Sequence, residues 1–411
     1  MIYLLLAACI ALCACVQAQE LPAKVELICI DPAATGYATF QSHNQKVVAN
    51  RYGIFESHIR TRTEDYMAQT WRLSRSTDGG KTFTVIFEQV DATNPPPIET
   101  DAAGNIYLVR VDWKTGDAFL YRFLAEKDFK DPSISLIPKG QGGKYALALD
   151  EGRKQLYYFS NNNTFHTIGF DGVWKGSYEL TKDGAHGCNM YPQVCVDADG
   201  NVHAAWTTQK HGVYMYWDIH HVMSTDGAKS WRNLDGAQVI TPVTVDDTGP
   251  ATLISGKDEF EVHTFLANML AHGGKVHFTY LAQFQPYREH YLRYDIATGR
   301  RDVDLHPEFK GETIKIAGLD GFFASRSSDP KAPLYCVMSD NGRIACLEST
   351  DNGATWHDYA RSDKVCNPYS IGGFREITPD GYIIGTFTDQ QGAKGDIFQL
   401  FPVYLIKIKA Q

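Results

Sequence analysis

Side chains able to move a proton or hold an anion gather in a few stretches of this sequence. His186 and Tyr191 lie five positions apart in His186-Gly-Cys-Asn-Met-Tyr191, and both residue types serve as general acids and bases when their surroundings tune them. The run Tyr287-Arg288-Glu289-His290-Tyr291-Leu292-Arg293-Tyr294 is the richest polar and aromatic segment of the chain. If a loop precedes Tyr291, then Tyr287, Arg288 and His290 face a ligand; if the strand starts early, the run is a solvated edge strand. In Ser57-His58-Ile59-Arg60-Thr61-Arg62, charge alternates against Ile59, which makes one face of that segment basic. A guanidinium is the natural bidentate partner of a carboxylate, so Arg288, Arg60 with His58, and also Arg326 and Arg375 are candidate anion clamps. Arg326 and Arg375 fit an ordinary sheet-edge role as well. His203 and His277 stand mid-strand between apolar residues and read as packed core histidines.

Two kinds of turn must position these residues. Ser76-Thr77-Asp78-Gly79-Gly80-Lys81-Thr82-Phe83, Ser224-Thr225-Asp226-Gly227-Ala228-Lys229-Ser230-Trp231 and Ser349-Thr350-Asp351-Asn352-Gly353-Ala354-Thr355-Trp356 repeat one pattern, S-T-D-x-[GA]-x-[TS]-aromatic. Each reads as a hairpin turn: the Asp carboxylate accepts backbone N–H groups, Gly supplies positive φ, and the ring anchors the turn in a core. The chain here resembles the Asp-box (BNR-repeat) β-propellers, the architecture of sialidases and several polysaccharide lyases. That resemblance implies a structural role for Asp78, Asp226 and Asp351, away from any active site. A weaker repeat, a Gly turn followed by a strand of alternating apolar residues, recurs at Gly104, Gly200, Gly274, Gly342 and Gly381, with looser copies at Gly53 and Gly152. Helical periodicity is nearly absent. The expectation is a single all-β propeller of six or seven blades over residues 19–411, with residues 401–408 pairing with residues 25–29 to close the ring.

In a propeller the inner strands begin at one face of the channel, so residues some eight to ten positions ahead of each Gly turn should look into a shared pocket. That rule selects residues 187–192 with His186, then Phe265 and Leu266, the Ser370-Gly372-Gly373 turn, and residues 95–97. The stretch 183–244 holds Tyr191-Pro192, Asp197-x-Asp-Gly200-Asn-x-His203, Asp218-x-His220, the second Asp box and Pro242. It resembles the BNR-type polysaccharide lyases, which cleave uronic-acid polymers such as ulvan or rhamnosyl-glucuronate linkages. The resemblance implies β-elimination, with His186 and Tyr191 as the leading acid/base pair and His290 as a further catalytic candidate. Substrate binding then falls to His58, Arg60, His220, Tyr287, Arg288 and Arg375. His220 lies where the similar lyases carry an Asn-His-Asp-like element, from which Trp217-Asp218-Ile219-His220-His221 departs. A sialidase-like hydrolase would need three clustered arginines and a Tyr nucleophile activated by Glu. No Phe/Tyr-Arg-Ile-Pro element opens this chain; Arg51-Tyr52-Gly53-Ile54 stands in its place. A non-catalytic glycan-binding propeller would need only an aromatic and polar groove.

Composition narrows the partners. The 411 residues are 44% hydrophobic, enough for a large core, and the formal charge of −9 without any Lys/Arg run speaks against nucleic acid. An apolar run over residues 2–14 followed by Val16-Gln17-Ala18 fits a secretory leader cleaved after Ala18, while Leu12-Cys13-Ala14-Cys15 allows lipidation at Cys15. No later stretch reaches the ~18 apolar residues of a membrane span. Beyond the leader stand Cys29, Cys188, Cys195, Cys336, Cys346 and Cys366. Cys188 with Cys195 and Cys336 with Cys346 are near enough in sequence to pair, and buried free thiols are the other reading. No CxxC occurs, no cofactor or catalytic metal is expected, and the expected partner is an acidic polysaccharide or glycan met by a monomer.

Overall fold

The computed structural model describes residues 20–61, 69–112, 114–213, 215–246, 252–255, 263–283, 288–305, 308–309, 312–313, 321–396 and 398–411. Seven antiparallel sheets stand around a central channel. The inner strands of blades 1 to 7 are Val47–Asn50, Ile98–Thr100, Tyr145–Asp150, Gly187–Val196, His263–His272, Phe322–Ala324 and Pro368–Gly373. Blades 1 to 6 follow chain order outward, and blade 4 carries an extra short strand, Gln238–Val239. Among the described residues the one helical segment is the single 3₁₀ turn Ala125–Lys127. The blade count, open between six and seven on sequence, is seven.

Blade 7 is built from both ends of the chain. Its outer strand, Val25–Thr35, pairs antiparallel with Leu400–Lys409, with Val25 opposite Ile408, Cys29 opposite Tyr404 and Thr35 opposite Leu400. This extends the expected closure by a further turn of pairing and removes an open edge between first and last blades.

The second strand of each blade is buried on both faces where the sheet is sandwiched between two others, as in Gln155–Ser160 and Val202–Lys210, whereas outer strands such as Ser133–Ile137 and Trp174–Glu179 alternate with exposed residues. Phe159 of blade 3 packs with Trp206 and Trp231 of blade 4, and Ile219 of blade 4 with Phe278 of blade 5. Tyr291 of blade 5 meets Phe323 of blade 6, Cys346 of blade 6 meets Phe387 of blade 7, and Leu405 of blade 7 meets Phe55 of blade 1. Core is thus distributed between blades, leaving the channel to polar residues.

All three Asp boxes join third to fourth strands. In each, the carboxylate accepts from the Ser hydroxyl two residues before it and from the N–H and hydroxyl four residues after it: Ser349 Oγ at 2.8 Å, Thr355 N at 2.8 Å and Thr355 Oγ1 at 2.7 Å for Asp351. The two positions after each Asp take positive φ, Gly79–Gly80, Gly227–Ala228 and Asn352–Gly353. The Gly turns behave as expected with one exception. Six connect first to second strands, but Asn341-Gly342 joins the second and third strands of blade 6, Leu334–Asp340 and Arg343–Ser349. With φ of 46° and 76° it is the tight hairpin that Asn-Gly favours wherever two strands need one, so its chemistry marks a hairpin and not a position in the blade.

The six cysteines of the described chain are free thiols. Cys188 and Cys195 lie seven residues apart on one extended strand, roughly 23 Å at 3.3 Å per residue, far beyond disulfide reach. Cys336 and Cys346 occupy neighbouring strands but pack into different inter-blade cores.

Candidate active site

The Asp boxes define a lower face; the opposite, upper face is where the inner strands begin. Residues 36–46 leave the outer strand of blade 7 and, before entering blade 1, lie across this upper mouth. Gln41 Nε2 donates to Gly143 O at 3.1 Å, Gln41 Oε1 accepts from Tyr145 N at 3.2 Å, and Thr39 Oγ1 donates to Tyr369 O at 3.1 Å, tying the segment to blades 3 and 7. At Gly372 a Cβ would come within 2.7 Å of Ser42 O, so only glycine lets the segment sit this close. Lys46 is buried beneath it and donates to Gln41 O at 3.1 Å and Asn44 O at 3.4 Å. Burial pushes this ammonium down to about 7, against the pull of Glu56.

Tyr191 stands beside this segment. Its strand is bulged between Met190 and Gln193, and Tyr191 itself has φ of 50°, a conformation that costs a bulky side chain on the order of 1–2 kcal/mol. Blade 7 is bulged at the same level, with Ser370 at φ of 54°, and blade 5 between Leu266 and Asn268. Bulges re-aim side chains and collect beside active sites. The Tyr191 ring is met edge-on by Tyr216 at 5.5 Å and by His43 at 6.1 Å, with Lys144 Nζ 5.7 Å above it. Lys144 also sits 4.6 Å over Phe40, which stacks on Tyr369 at 6.2 Å. Burial lowers Lys144 to about 8 and, with Lys46 nearby, His43 to about 3. His43 is therefore neutral at physiological pH, with Nε2 3.3 Å from Tyr145 O. A half-buried cation, a strained tyrosine, a neutral imidazole and an aromatic shelf thus converge at the upper mouth, with the tyrosine and the imidazole themselves buried.

Of the residues singled out on sequence, Tyr191 alone stands within this cluster. His186 is exposed on the rim, its ring 6.3 Å from Trp217. Four residues of strand, roughly 13 Å, lie between Gly187 and Tyr191, so the two side chains do not form a pair. The imidazole beside Tyr191 is His43, from the segment 36–46. His290, on strand Arg288–Asp295 of blade 5, is buried and stacked on its cross-strand partner Tyr280 at 4.4 Å. His220 is its counterpart in blade 4: buried, stacked on cross-strand Trp206 at 5.3 Å, with Nδ1 2.8 Å from Thr252 Oγ1 and Nε2 3.2 Å from Asp218. Such stacks are packing units of a sheet, which corrects the substrate-binding expectation for His220. The basic face expected at His58 and Arg60 is also turned inward. His58 lies between Glu56 at 2.8 Å and Asp31 at 3.2 Å, and Arg60 Nε is 3.0 Å from Asp31, so these cations are already neutralised. Arg375 is in the channel below the segment 36–46, 3.4 Å from Glu99 and from His43 O, and so supports His43 from beneath. Tyr287 lies outside the described residues, and Arg288 opens its strand. His203 and His277 are buried as expected, the former beside His221 and Asp197, the latter bonded to Tyr291 Oη at 2.7 Å.

Sequence inspection missed His43, Lys144, Phe40 and Tyr369. Lys144 lies eight positions ahead of Gly152 and His43 ten ahead of Gly53, so the spacing rule reaches both once it is applied to the two looser turns; Phe40 and Tyr369, thirteen and twelve positions ahead of Gly53 and Gly381, fall outside it. The dense polar run Phe40-Gln-Ser-His-Asn-Gln-Lys46 was the available signal.

Residues 148–259 match the profile of a BNR repeat-containing family. No curated protein matches the chain. Among solved structures, an ulvan lyase of polysaccharide lyase family PL25, bound to -[GlcA(1-4)Rha3S]-, is similar with a TM-score of 0.64 and 11% identity, covering 93% of this chain and 96% of that one. The polysaccharide lyase Uly1 is similar at 0.58 and 10% identity, covering 94% and 100%. The phage phi92 endosialidase is similar at 0.51 and 10% identity, covering 95% of this chain and 70% of that one. At such identities the likeness is one of fold: a seven-bladed β-propeller with BNR repeats.

Proposed function

We propose that this propeller is a polysaccharide lyase that cleaves a uronate-containing glycan by β-elimination at the upper mouth. The observation that carries the reading is the convergence of Lys144 on Tyr191, a tyrosine held in a left-handed backbone at a bulge and flanked by neutral His43. Lys144 is suited to offset the uronate carboxylate and the charge that grows on it as the proton leaves C5. Tyr191, with that cation over its ring, is suited to accept that proton; the C5–H pair forms the C4=C5 double bond, the C4–O bond breaks, and the departing oxygen takes the proton back from the same phenol. Phe40 and Tyr369 offer an apolar shelf for the sugar ring. The similarity to ulvan-type lyases supports the substrate class. Hydrolysis of a sialidase kind needs three convergent arginines, and Arg60 and Arg375 are each taken up by internal carboxylates.

The test is incubation with ulvan and with rhamnosyl-glucuronate-capped glycans while following absorbance of the 4,5-unsaturated uronate. A rise in absorbance is expected. Release of free sialic acid from a sialoside with no such rise would overturn the reading.

A further inference from the structure

A cavity of about 940 Å³ runs along the outer edges of blades 3 and 4, from the Asp-box turn at Asp226 to Glu179 and Pro242. Its Asp-box end is remote from the upper mouth. Tyr216, in contact with Tyr191, and Ser224, which opens the second Asp box, are opposite ends of one strand, eight residues or roughly 26 Å apart.

The groove exists because blade 4 has little outer strand. Trp231–Arg232 spans two residues, whereas the facing strand of blade 3, Trp174–Glu179, spans six. One wall therefore stands without a sheet opposite it. The floor is the ring of Tyr178, whose hydroxyl accepts from Trp231 Nε1 at 2.7 Å and donates to Ala228 O at 2.7 Å, so the ring is fixed. Lys175, Ser177 and, at the far end, Glu179 project from the blade 3 edge and Lys229 from the Asp-box turn opposite, so the ammonium groups are gathered at the Asp-box end. Lys175 Nζ contacts the neutral Gln155 Oε1 at 3.3 Å, and the Lys229 side chain is exposed. The Asp226 carboxylate beside them is occupied by Ser224 Oγ, Lys229 N, Ser230 N and Ser230 Oγ. Arg153 is bound to Asp150 and Gly200 O, which leaves the two lysines as the ammonium donors toward the groove.

A fixed aromatic floor, hydroxyl and ammonium donors on facing walls, and a volume at the upper end of small-ligand sites suit an acidic oligosaccharide: sugar C–H faces pack on the ring and carboxylate or sulfate groups meet the lysines. We propose that this groove is a second, non-catalytic binding site for an acidic glycan chain, which it would hold while the upper mouth acts on other segments. The proposal rests on the preceding reading for the class of ligand alone.

The test is affinity electrophoresis and calorimetry of the full chain with ulvan, in a Tyr191→Phe background so that the polymer stays intact. Lys175→Ala with Lys229→Ala, and separately Ser177→Trp, which fills the groove, should each weaken polymer binding about tenfold or more at unchanged melting temperature, while turnover of short oligosaccharides in the Tyr191 background stays as it was. Unchanged polymer affinity in both variants, or no polymer binding by the parent chain, overturns the proposal. The two readings part company cleanly. Retention lost in the groove variants of a chain that yields no unsaturated product would sustain the groove and sink the lyase; product formation with unaltered retention would do the reverse.

Discussion

Tyr191 concentrates the case at the scale of single residues, because a left-handed tyrosine in an inner strand is retained at a cost and has a cation and a neutral imidazole beside it. Tyr191→Phe keeps the ring packing on Tyr216 and removes only the hydroxyl. Turnover should fall on the order of 10²-fold or more with substrate binding nearly intact, as steady-state kinetics and calorimetry would show; an unchanged kcat would move the proton transfer elsewhere. His58 makes a second, structural prediction. Burial alone would push its imidazolium down, but Glu56 and Asp31 outweigh burial and hold it up at about 9. Arg60 and Arg72 share the Asp31 carboxylate. A raised pKa means the folded state binds the proton more tightly than the unfolded chain. This stabilisation is complete below about 6.5, is lost as pH rises through about 9, and is worth on the order of 3 kcal/mol. Buried Lys46 titrates in the opposite sense near 7, so the check is a difference: between pH 6 and 10 the wild type should lose more melting temperature than His58→Gln. Parallel curves would show that His58 is not the group responsible.

At the scale of elements, the Asp boxes and the segment 36–46 illustrate two kinds of legibility. A box is local: acceptor, donors and positive-φ residues all lie within eight positions, and three copies in the sequence become three turns with one hydrogen-bond pattern. Asp351→Ala should lower thermal stability by about 1 kcal/mol for each hydrogen bond it accepts, seen as a lower melting temperature, with turnover unaffected because the box is on the far face. Loss of activity at unchanged melting temperature would contradict the structural role. The segment 36–46 is the reverse case. Its contacts with Gly143, Tyr145 and Tyr369 span about 100 and 330 positions of chain, and nothing local in Phe40-Gln-Ser-His43 indicates which blades it will meet. For the same reason the two third-strand histidines, His220 and His290, resembled site residues in sequence, yet cross-strand pairing with Trp206 and Tyr280 makes them core.

The whole molecule is a ring, and a ring depends on its seam. Removing residues 20–35 would strip the outer strand from blade 7, exposing the edge of Leu400–Lys409 and the apolar residues that Ile28 and Ile30 cover. Such a truncation should yield aggregated protein or a broadened thermal transition; a soluble chain with an unchanged melt would show that the seam is dispensable. The sequence by itself determined the all-β class, the turns at which each sheet reverses, the three Asp boxes and the strand that closes the ring, because each of these is written in residues a few positions apart or in the simple alternation of apolar side chains. It also marked Tyr191 as a residue at the start of an inner strand. Only the tertiary structure decided that seven blades, not six, complete the circle, that His58 and Arg60 are spent on Asp31 and Glu56, and that Lys144 and His43, not His186, stand at Tyr191. The physical reason is closure: curling the sheets into a ring brings blades distant in sequence onto one mouth, and which side chains meet there depends on how all seven inner strands are placed at once.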